Sequence, residues 1–302
     1  MIINRRQFLK QSAIAAALGF LPVSKLWGYI EDTHFKEIRE GIGYYSNRGG
    51  TIGWMSHADA LIVVDTQFPD TAADFLTGIK KLSERKIDLL INTHHHRDHT
   101  GGNPVLKPES ALTVAHKNVP RLQREAAKKQ GTLQKQVYAN TLFDTDWSKR
   151  IGDEIITLTY QGPAHTNGDS ITHFENANVV HMGDLIFNRI HPFIDISAEG
   201  SILHWKEILD HTLNKFDDDT IFIFGHGNEK YGVTGGKKDV HVLRDYFEAL
   251  QEHVTQGMQK SLSRDQITSL KTLKGFEDFK SYGEHFSLSY NLGLTYDALK
   301  KS

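Results

Sequence analysis

INTHHHRDHTGGN, residues 91–103, places four histidines and an aspartate directly after a short apolar run. Within it His94, His96, Asp98 and His99 follow the pattern His-x-His-x-Asp-His. Imidazole nitrogens and carboxylate oxygens are ligands that Zn²⁺ accepts when thiolates are absent. Alternation along a loop lets His94 and His96 point the same way, so that Asp98 and His99 can face a second ion. The stretch predicts a metal-binding loop, with a merely solvated histidine loop as the alternative.

Three more residues of ligand type stand later in the chain, each in a turn beside glycine. They are His165 in GPAHTNGD, Asp184 in HMGDLIF and His226 in FGHGN. Two of these motifs directly follow β-patterned runs, so several strand ends could converge on one pocket. This recurrence favours the metal site over the solvated loop.

Apolar periodicity around these motifs predicts strands alternating with helices. LIVVDT and IDLLINT read as strands, and a helical pattern begins between them after Pro69. Further helices are predicted over Val119–Val137, Val240–Lys260 and Arg264–Leu273. The chain has two β-rich halves, each followed by helices, which indicates two sheets packed face to face with helices outside.

Taken in order from about Gly41 to Gly227, the LIVVDT strand, the THHHRDHTGGN signature and the three later motifs resemble the metallo-β-lactamase fold superfamily of metallohydrolases. The resemblance implies an α/β fold, a four-layer αβ/βα sandwich of two mixed β-sheets. It also implies two metal sites that share one carboxylate, with His94, His96 and His165 in the first, Asp98, His99 and His226 in the second, and Asp184 bridging them.

In such a site both ions share a hydroxide that attacks a carbonyl or phosphoryl centre, and Asp98 orients it and accepts a proton. Zinc β-lactamases proper have cysteine or serine where this chain has Asp184. The bridging aspartate instead resembles glyoxalase II, lactonase and phosphodiesterase relatives, which argues against strong β-lactamase activity. Two divalent ions are expected as cofactors, zinc first, with iron or manganese as alternatives.

Residues beyond the ligands have two interpretations each. Asp65, after the LIVV run, either orients the histidine loop or only caps a strand end, and Asp169 is similar. His191 is either a pocket residue in contact with substrate or a turn residue before proline. His95 lies between two ligands and should point away from the metals.

Aromatic residues near the carboxyl end, Tyr282, Phe286 and Tyr290, are interpreted as helix-packing residues rather than a recognition surface. The loops expected to shape the pocket are 51–57 and 188–198, together with the carboxyl-terminal helices.

Residues 1–28 have the features of a twin-arginine export signal. Arg5 and Arg6 precede Phe-Leu-Lys and a moderately apolar segment that is too short to span a bilayer. This segment predicts a periplasmic or otherwise exported protein that engages the twin-arginine export machinery. Contact with a membrane is expected only through an uncleaved signal.

The composition of the 302-residue chain is that of a globular protein, with 39% hydrophobic and 24% charged residues. No linker interrupts residues 29–302, which we interpret as a single domain with a helical carboxyl-terminal part. A net charge of −2 without a basic block argues against a nucleic-acid partner and favours a small-molecule substrate. With no cysteine, disulfides and thiolate ligands are excluded.

The leading functional prediction is an exported dinuclear hydrolase acting on a small ester, thioester, lactone, amide or phosphodiester. The alternatives are a mononuclear iron oxidoreductase that resembles persulfide dioxygenases, and an accessory hydrolase in the maturation of a periplasmic cofactor. The complete ligand set argues against a purely non-enzymatic binding protein.

Overall fold

A computed structural model describes residues 34–301, and the predicted export signal and the boundary after residue 28 lie outside this range. The strands are β1 (Phe35–Arg39), β2 (Ile42–Tyr45), β3 (Ile52–Ser56), β4 (Leu61–Val64), β5 (Leu89–Asn92), β6 (Thr113–His116), β7 (Thr141–Phe143), β8 (Asp146–Ile151), β9 (Glu154–Tyr160), β10 (Ser170–Phe174), β11 (Val179–His181), β12 (Phe187–Asn188), β13 (Ile221–Ile223), β14 (His226–Gly227) and β15 (Thr234–Gly235). The α-helices are α1 (Pro69–Leu82), α2 (Arg97–Thr100), α3 (Asn103–Leu106), α4 (Val119–Lys129), α5 (Ile202–Lys215), α6 (Lys237–Gln259), α7 (Arg264–Thr268) and α8 (Leu288–Leu299).

The first sheet contains β1 to β7 in chain order. Strands β1 to β4 are antiparallel, and β4 to β7 are parallel. Because side chains alternate along a strand, Ile62 and Val64 of β4 face the second sheet, whereas Leu61 and Val63 face α1. The LIVV run is therefore buried on both sides, as a central strand covered by a helix must be.

The second sheet has the order β15-β13-β11-β10-β9-β8. Its inner face meets the first sheet through Leu158, Phe174 and Ile223, all buried. Its outer face is covered by α5 and α6, whose Trp205 and Phe247 rings pack 5.0 Å apart. The order of layers is helix, sheet, sheet, helix, which confirms the predicted α/β sandwich of two mixed sheets.

Strand ends from both sheets meet at one edge, where backbone hydrogen bonds tie them together. Ser170 N–H donates to the Thr93 carbonyl at 2.9 Å, and Thr51 N–H donates to the Gly225 carbonyl at 2.9 Å. The loops that follow β4, β5, β9, β11 and β13 all emerge at this edge. The motifs predicted to bind metal lie on four of these loops.

Two helix predictions were too long, and several strands, among them β7 and β8, were not predicted. Helix α4 ends at Lys129 rather than Val137, because Gly131 adopts a left-handed φ of 67°. Helix α7 covers Arg264–Thr268 rather than reaching Leu273. Strand β8, sequence DWSKRI, is an exposed edge strand whose polar residues conceal the apolar alternation. The short β7 was also not predicted.

In the described part of the chain, every helix is too short or too polar to cross a lipid bilayer.

Candidate metal centre

The histidine loop places its residues in two directions because it changes conformation at His96. The chain bends over residues 93–95, His96 is extended, and α2 begins at Arg97, with the His99 N–H donating to the His96 carbonyl at 3.0 Å. His94 Nε2 lies 3.2 Å from His96 Nδ1, which lies 2.8 Å from His165 Nε2 on the loop between β9 and β10. These three nitrogens form the first group of donors.

The turn into α2 directs Asp98 and His99 toward His226, at the start of β14. His226 Nε2 lies 3.2 Å from Asp98 Oδ2 and 3.5 Å from His99 Nε2, and His99 Nε2 lies 3.7 Å from Asp98 Oδ2. These three residues form the second group of donors.

Asp184 lies between the two groups. Its Oδ2 is 3.4 Å from His165 Nε2 and 3.3 Å from His226 Nε2, and its Oδ1 is 3.0 Å from His99 Nε2. Glycine is needed beside it, because a Cβ on Gly225 would meet Asp184 Oδ1 at 1.9 Å. The position of Asp184 is the one expected of a carboxylate shared by two cations.

The spacing and chemistry of the donors fit metal ions. Two nitrogens bound to one tetrahedral zinc at about 2.0–2.1 Å lie about 3.3 Å apart, close to the 3.2 Å between His94 and His96. The donors are imidazoles and carboxylates, which zinc accepts as ligands. Within each of the two groups, the donor atoms lie within 4.8 Å of one another. Two divalent cations would fit, one against each group, with Asp184 between them.

Outward hydrogen bonds fix which nitrogen of each histidine faces the centre. His99 Nδ1 donates to Asp65 Oδ2 at 2.7 Å, and His165 Nδ1 donates to the Phe193 carbonyl at 2.7 Å. His94 Nδ1 lies 3.1 Å from Thr93 Oγ1, whose own hydroxyl donates to Asp65. Since these outer nitrogens bind acceptors, the facing nitrogens carry the lone pairs that a metal requires.

Electrostatics at the centre favour bound positive charge. Burial opposes charge on His226, yet Asp184 and Asp98 raise its pKa to about 10. Burial also opposes charge on His99, and the surrounding Asp184, Asp98 and Asp65 carboxylates raise its pKa as well. In the first group, burial lowers the pKa of His165 to about 3, with the neighbouring His96 acting in the same direction. Burial thus keeps the His165 ring neutral, and the carboxylates around His99 and His226 favour positive charge in the second group, which a bound cation would supply.

The family profile described as "Metallo-beta-lactamase superfamily" matches residues 47–229, which contain all of the converging donors. This chain belongs to the metallo-β-lactamase superfamily. A probable hydroxyacylglutathione hydrolase of Schizosaccharomyces pombe is 28% identical over 197 residues, covering 61% of this chain and 69% of that protein. A metallo-β-lactamase type 2 of Bacillus cereus is 24% identical over 194 residues, covering 62% and 71% respectively.

Among solved structures, the sec-alkylsulfatase Pisa1 from Pseudomonas sp. superimposes with a TM-score of 0.70 at 16% identity, covering 87% of this chain. The chain spans 50% of the length of that alkylsulfatase, and the likeness concerns the fold alone. The prediction of a hydrolase of the metallo-β-lactamase superfamily is confirmed by the family and its named relatives.

Asp65 occupies the supporting position predicted for it in this superfamily member. It is fully buried, accepts hydrogen bonds from the Thr93 N–H at 2.8 Å and the Thr93 hydroxyl at 2.7 Å, and binds His99. Its φ is 66°, a left-handed conformation that aspartate tolerates better than most residues. Asp169 does not touch a ligand ring. It accepts from the Thr166 N–H and hydroxyl and so closes the turn that carries His165.

His191 and His95 are both buried and lie outside the two donor groups. Of the two interpretations of His191, the pocket residue is contradicted, because the ring is buried against α6, where Nδ1 lies 2.8 Å from the Tyr246 hydroxyl. The proline after His191 and the bridge from Ile190 to Lys280 turn the ring away from the cavity. His95 Nε2 lies 3.8 Å from Asp195 Oδ2, and with His96 and Asp195 this histidine forms a third cluster of ligand-type side chains.

Sequence reasoning missed Asp195 and His181. Asp195 Oδ2 accepts a hydrogen bond from His96 Nε2 at 2.9 Å, which leaves His96 Nδ1 to face the first group. His181 Nδ1 accepts from the Gly183 N–H at 3.1 Å and so supports the turn before Asp184. For Asp195 the available signal was an isolated acid in an apolar segment, PFIDIS. For His181 it was a histidine inside a buried strand.

A cavity of about 500 Å³ opens over the donors in this superfamily member. His96, Asp98, His165, Asp184 and His226 form its floor. The remaining lining residues include a group of apolar side chains: Phe187, Ile190, Phe193, Tyr282 and Phe286. The interpretation of Tyr282 and Phe286 as helix-packing residues was therefore incomplete, since both also face the cavity.

Proposed function

We propose that this chain is an exported, dinuclear metal-dependent hydrolase that cleaves a small substrate at a carbonyl or phosphoryl centre. The observation that carries the proposal is the convergence of two donor groups on Asp184 at the floor of an open cavity. Zinc is the expected metal, with iron or manganese as alternatives.

Divalent cations bound to these donors would acidify a water molecule and polarise the substrate oxygen. The protein's own part is to hold seven donors rigidly and to leave one side of them open to substrate. Asp184 is almost fully buried and serves as a shared anchor, whereas the Asp98 side chain is 28% exposed. Asp98 is thus the carboxylate that can reach a water in the cavity, orient it and accept its proton.

The type of bond cleaved is not selected by the named relatives, because they include a hydroxyacylglutathione hydrolase, a metallo-β-lactamase and, by fold, an alkylsulfatase. An ester, thioester, lactone, amide or phosphodiester all place an electrophilic centre next to an oxygen that a cation can bind. We therefore propose hydrolysis, and the assay identifies the type of bond that is cleaved.

The test is metal content by elemental mass spectrometry on protein purified without chelators, with hydrolysis measured in parallel. The panel holds nitrocefin, a p-nitrophenyl ester, a thioester, a lactone and bis-p-nitrophenyl phosphate. About two ions per chain and metal-dependent turnover of one substrate are expected. One tightly held iron, no hydrolysis and thiol-dependent oxygen uptake would favour the oxidoreductase alternative instead.

Export is tested separately, because the signal lies outside the described residues. Replacing Arg5 and Arg6 by lysine should retain the protein in the cytoplasm, if the twin-arginine machinery recognises this segment. Fractionation of cells that express the natural and altered chains measures this directly. Equal export of both chains would contradict the proposal.

A further inference from the structure

The cavity next to the metal centre has one wall made of aromatic and aliphatic side chains. Phe193 and Phe286 lie 5.5 Å apart with an interplanar angle of 31°, and the Phe187 ring lies 6.2 Å from Phe286. Ile190 and Tyr282 complete this group, which we call the aromatic wall. Its surface is apolar and faces the same space as the metal donors.

The aromatic wall touches the donors themselves. Phe187 stacks on the His226 ring at 5.3 Å, and Phe193 lies 5.7 Å from the His96 ring and 5.8 Å from the His165 ring. A substrate whose reacting centre sits over the donors must therefore place the atoms next to that centre against this wall. The wall would therefore contact the acyl or leaving group of such a substrate, and not a part of the substrate far from the cleaved bond.

Two of the five wall residues, Tyr282 and Phe286, come from a carboxyl-terminal segment held against the sheet edge. The Lys280 N–H donates to the Arg189 carbonyl at 3.0 Å, and the His191 N–H donates to the Lys280 carbonyl at 3.0 Å. A tight turn follows, in which the Phe286 N–H donates to the Gly283 carbonyl at 3.2 Å, and Gly283 has a φ of 121°. This pairing and turn fix Tyr282 and Phe286 at the mouth of the cavity.

Tyr282 has an unusually exposed aromatic ring, with 58% of its surface accessible. Large apolar groups left in water beside a cavity commonly mark a binding site. Of the described side chains that line the cavity, Arg97 alone carries a permanent positive charge, and the carboxylates are the proposed metal ligands. The side chains of the wall carry no charge and therefore cannot pair with a charged substituent of the substrate.

We infer that the substrate carries a neutral apolar group, an alkyl chain or an aromatic ring, bonded next to the cleaved centre and packed against the aromatic wall. This inference rests on the proposed hydrolase function. The volume of about 500 Å³ suits a small molecule of this kind. Burial of each methylene should raise kcat/KM about fourfold, up to the length that the wall can cover.

The experiment compares p-nitrophenyl acetate, hexanoate and hemiglutarate with the metal-loaded protein, so that the leaving group is constant. If the bond panel selects another bond, the same three substituents (methyl, pentyl and 3-carboxypropyl) are compared next to the cleaved centre. We expect kcat/KM for hexanoyl to exceed that for acetyl by about tenfold or more. The carboxylate-bearing hemiglutaryl group should be the poorest of the three relative to its length.

Variants connect the preference to the wall. Tyr282→Ala should reduce the hexanoyl-to-acetyl ratio of kcat/KM at least threefold, whereas Tyr282→Phe should retain the ratio. Leu142→Ala is the matched control, because Leu142 is an exposed apolar residue on β7 outside the cavity. Phe286→Ala is a second variant, and its circular dichroism and Tm report whether it folds.

The outcomes separate this inference from the proposed function. No metal-dependent hydrolysis of any substrate would overturn the proposed function, and the inference with it. Metal-dependent hydrolysis with equal acetyl and hexanoyl rates, or with a preference for hemiglutaryl, would overturn the inference alone. A hexanoyl preference that survives Tyr282→Ala and folded Phe286→Ala would also overturn it, because the apolar contact would then lie elsewhere.

Discussion

Two carboxylates behind the metal centre, the buried Asp65 and the partly exposed Asp195, should each mainly support a different metal. Asp65 supports His99 in the second donor group, and Asp195 supports His96 in the first. Replacing either by asparagine keeps the shape but removes the charge. Asparagine also tolerates the left-handed φ of 66° at position 65, so the turn should survive.

The expected magnitude follows from the hydrogen bonds that each carboxylate makes. Asp65 accepts three, at 2.7–2.8 Å, and an asparagine has only one acceptor oxygen on its amide. Loss of one charge-assisted hydrogen bond costs about 1.5–3 kcal/mol. Supporting residues of this kind typically change metal affinity about 10- to 100-fold. We expect Asp65→Asn to weaken the second metal by that factor and Asp195→Asn to weaken the first.

Zinc bound per chain is measured by dialysis against chelator-buffered zinc. To assign the site, both changes are repeated in an Asp98→Ala background, which removes a donor of the second group. There Asp195→Asn should weaken the remaining ion more than Asp65→Asn, because Asp65 reaches the first group only through Thr93 and His94. Asp88→Asn, at the opposite end of β5, is the matched control. Equal weakening of the remaining ion by Asp65→Asn and Asp195→Asn would refute the reasoning.

Three further predictions use single substitutions. Asp98→Ala should abolish most turnover and bind one ion fewer, whereas His95→Ala should retain two ions and lower only Tm. Metal content is measured by mass spectrometry beside turnover, and equal loss of metal from both variants would contradict the assignment of ligands. Gly225→Ala should lose metal although it adds one methyl, because that methyl would meet Asp184 at 1.9 Å; normal zinc content would contradict the geometry. His191→Phe should lower the free energy of unfolding by about 1–2 kcal/mol, because the hydrogen bond to Tyr246 is lost, and should leave KM unchanged. Urea denaturation and steady-state kinetics measure the two effects. A raised KM without loss of stability would indicate that His191 contacts the substrate.

The donors could be predicted from sequence because their signal is local. Each stands in a short motif beside glycine at the end of an apolar run, and strand ends of one sheet edge are close in space. Asp65 belongs to the same class, since it directly follows the LIVV run. The order of motifs then indicated the fold, which the structure confirms.

The cavity wall and its supports could not be predicted in the same way, because their positions depend on tertiary contacts. Tyr282 and Phe286 reach the cavity only because Lys280 pairs with residues about 90 positions earlier, a contact without a sequence pattern. Asp195 meets His96 across a separation of 99 residues. The two interpretations of His191 could not be separated from sequence, because sequence proximity to Asp184 does not reveal the direction of a side chain.

The donors are divided between the two halves of the sandwich. The histidine loop follows β5 of the first sheet, whereas His165, Asp184 and His226 lie on loops of the second sheet. A chain with no cysteine cannot tie its halves with a disulfide. Bound ions would serve that purpose, since they would cross-link positions 69 to 127 residues apart, from His96–His165 to His99–His226, and remove loop entropy from the unfolded chain, as a disulfide does. Metal loading would then stabilise the two sheets as a single cooperative unit.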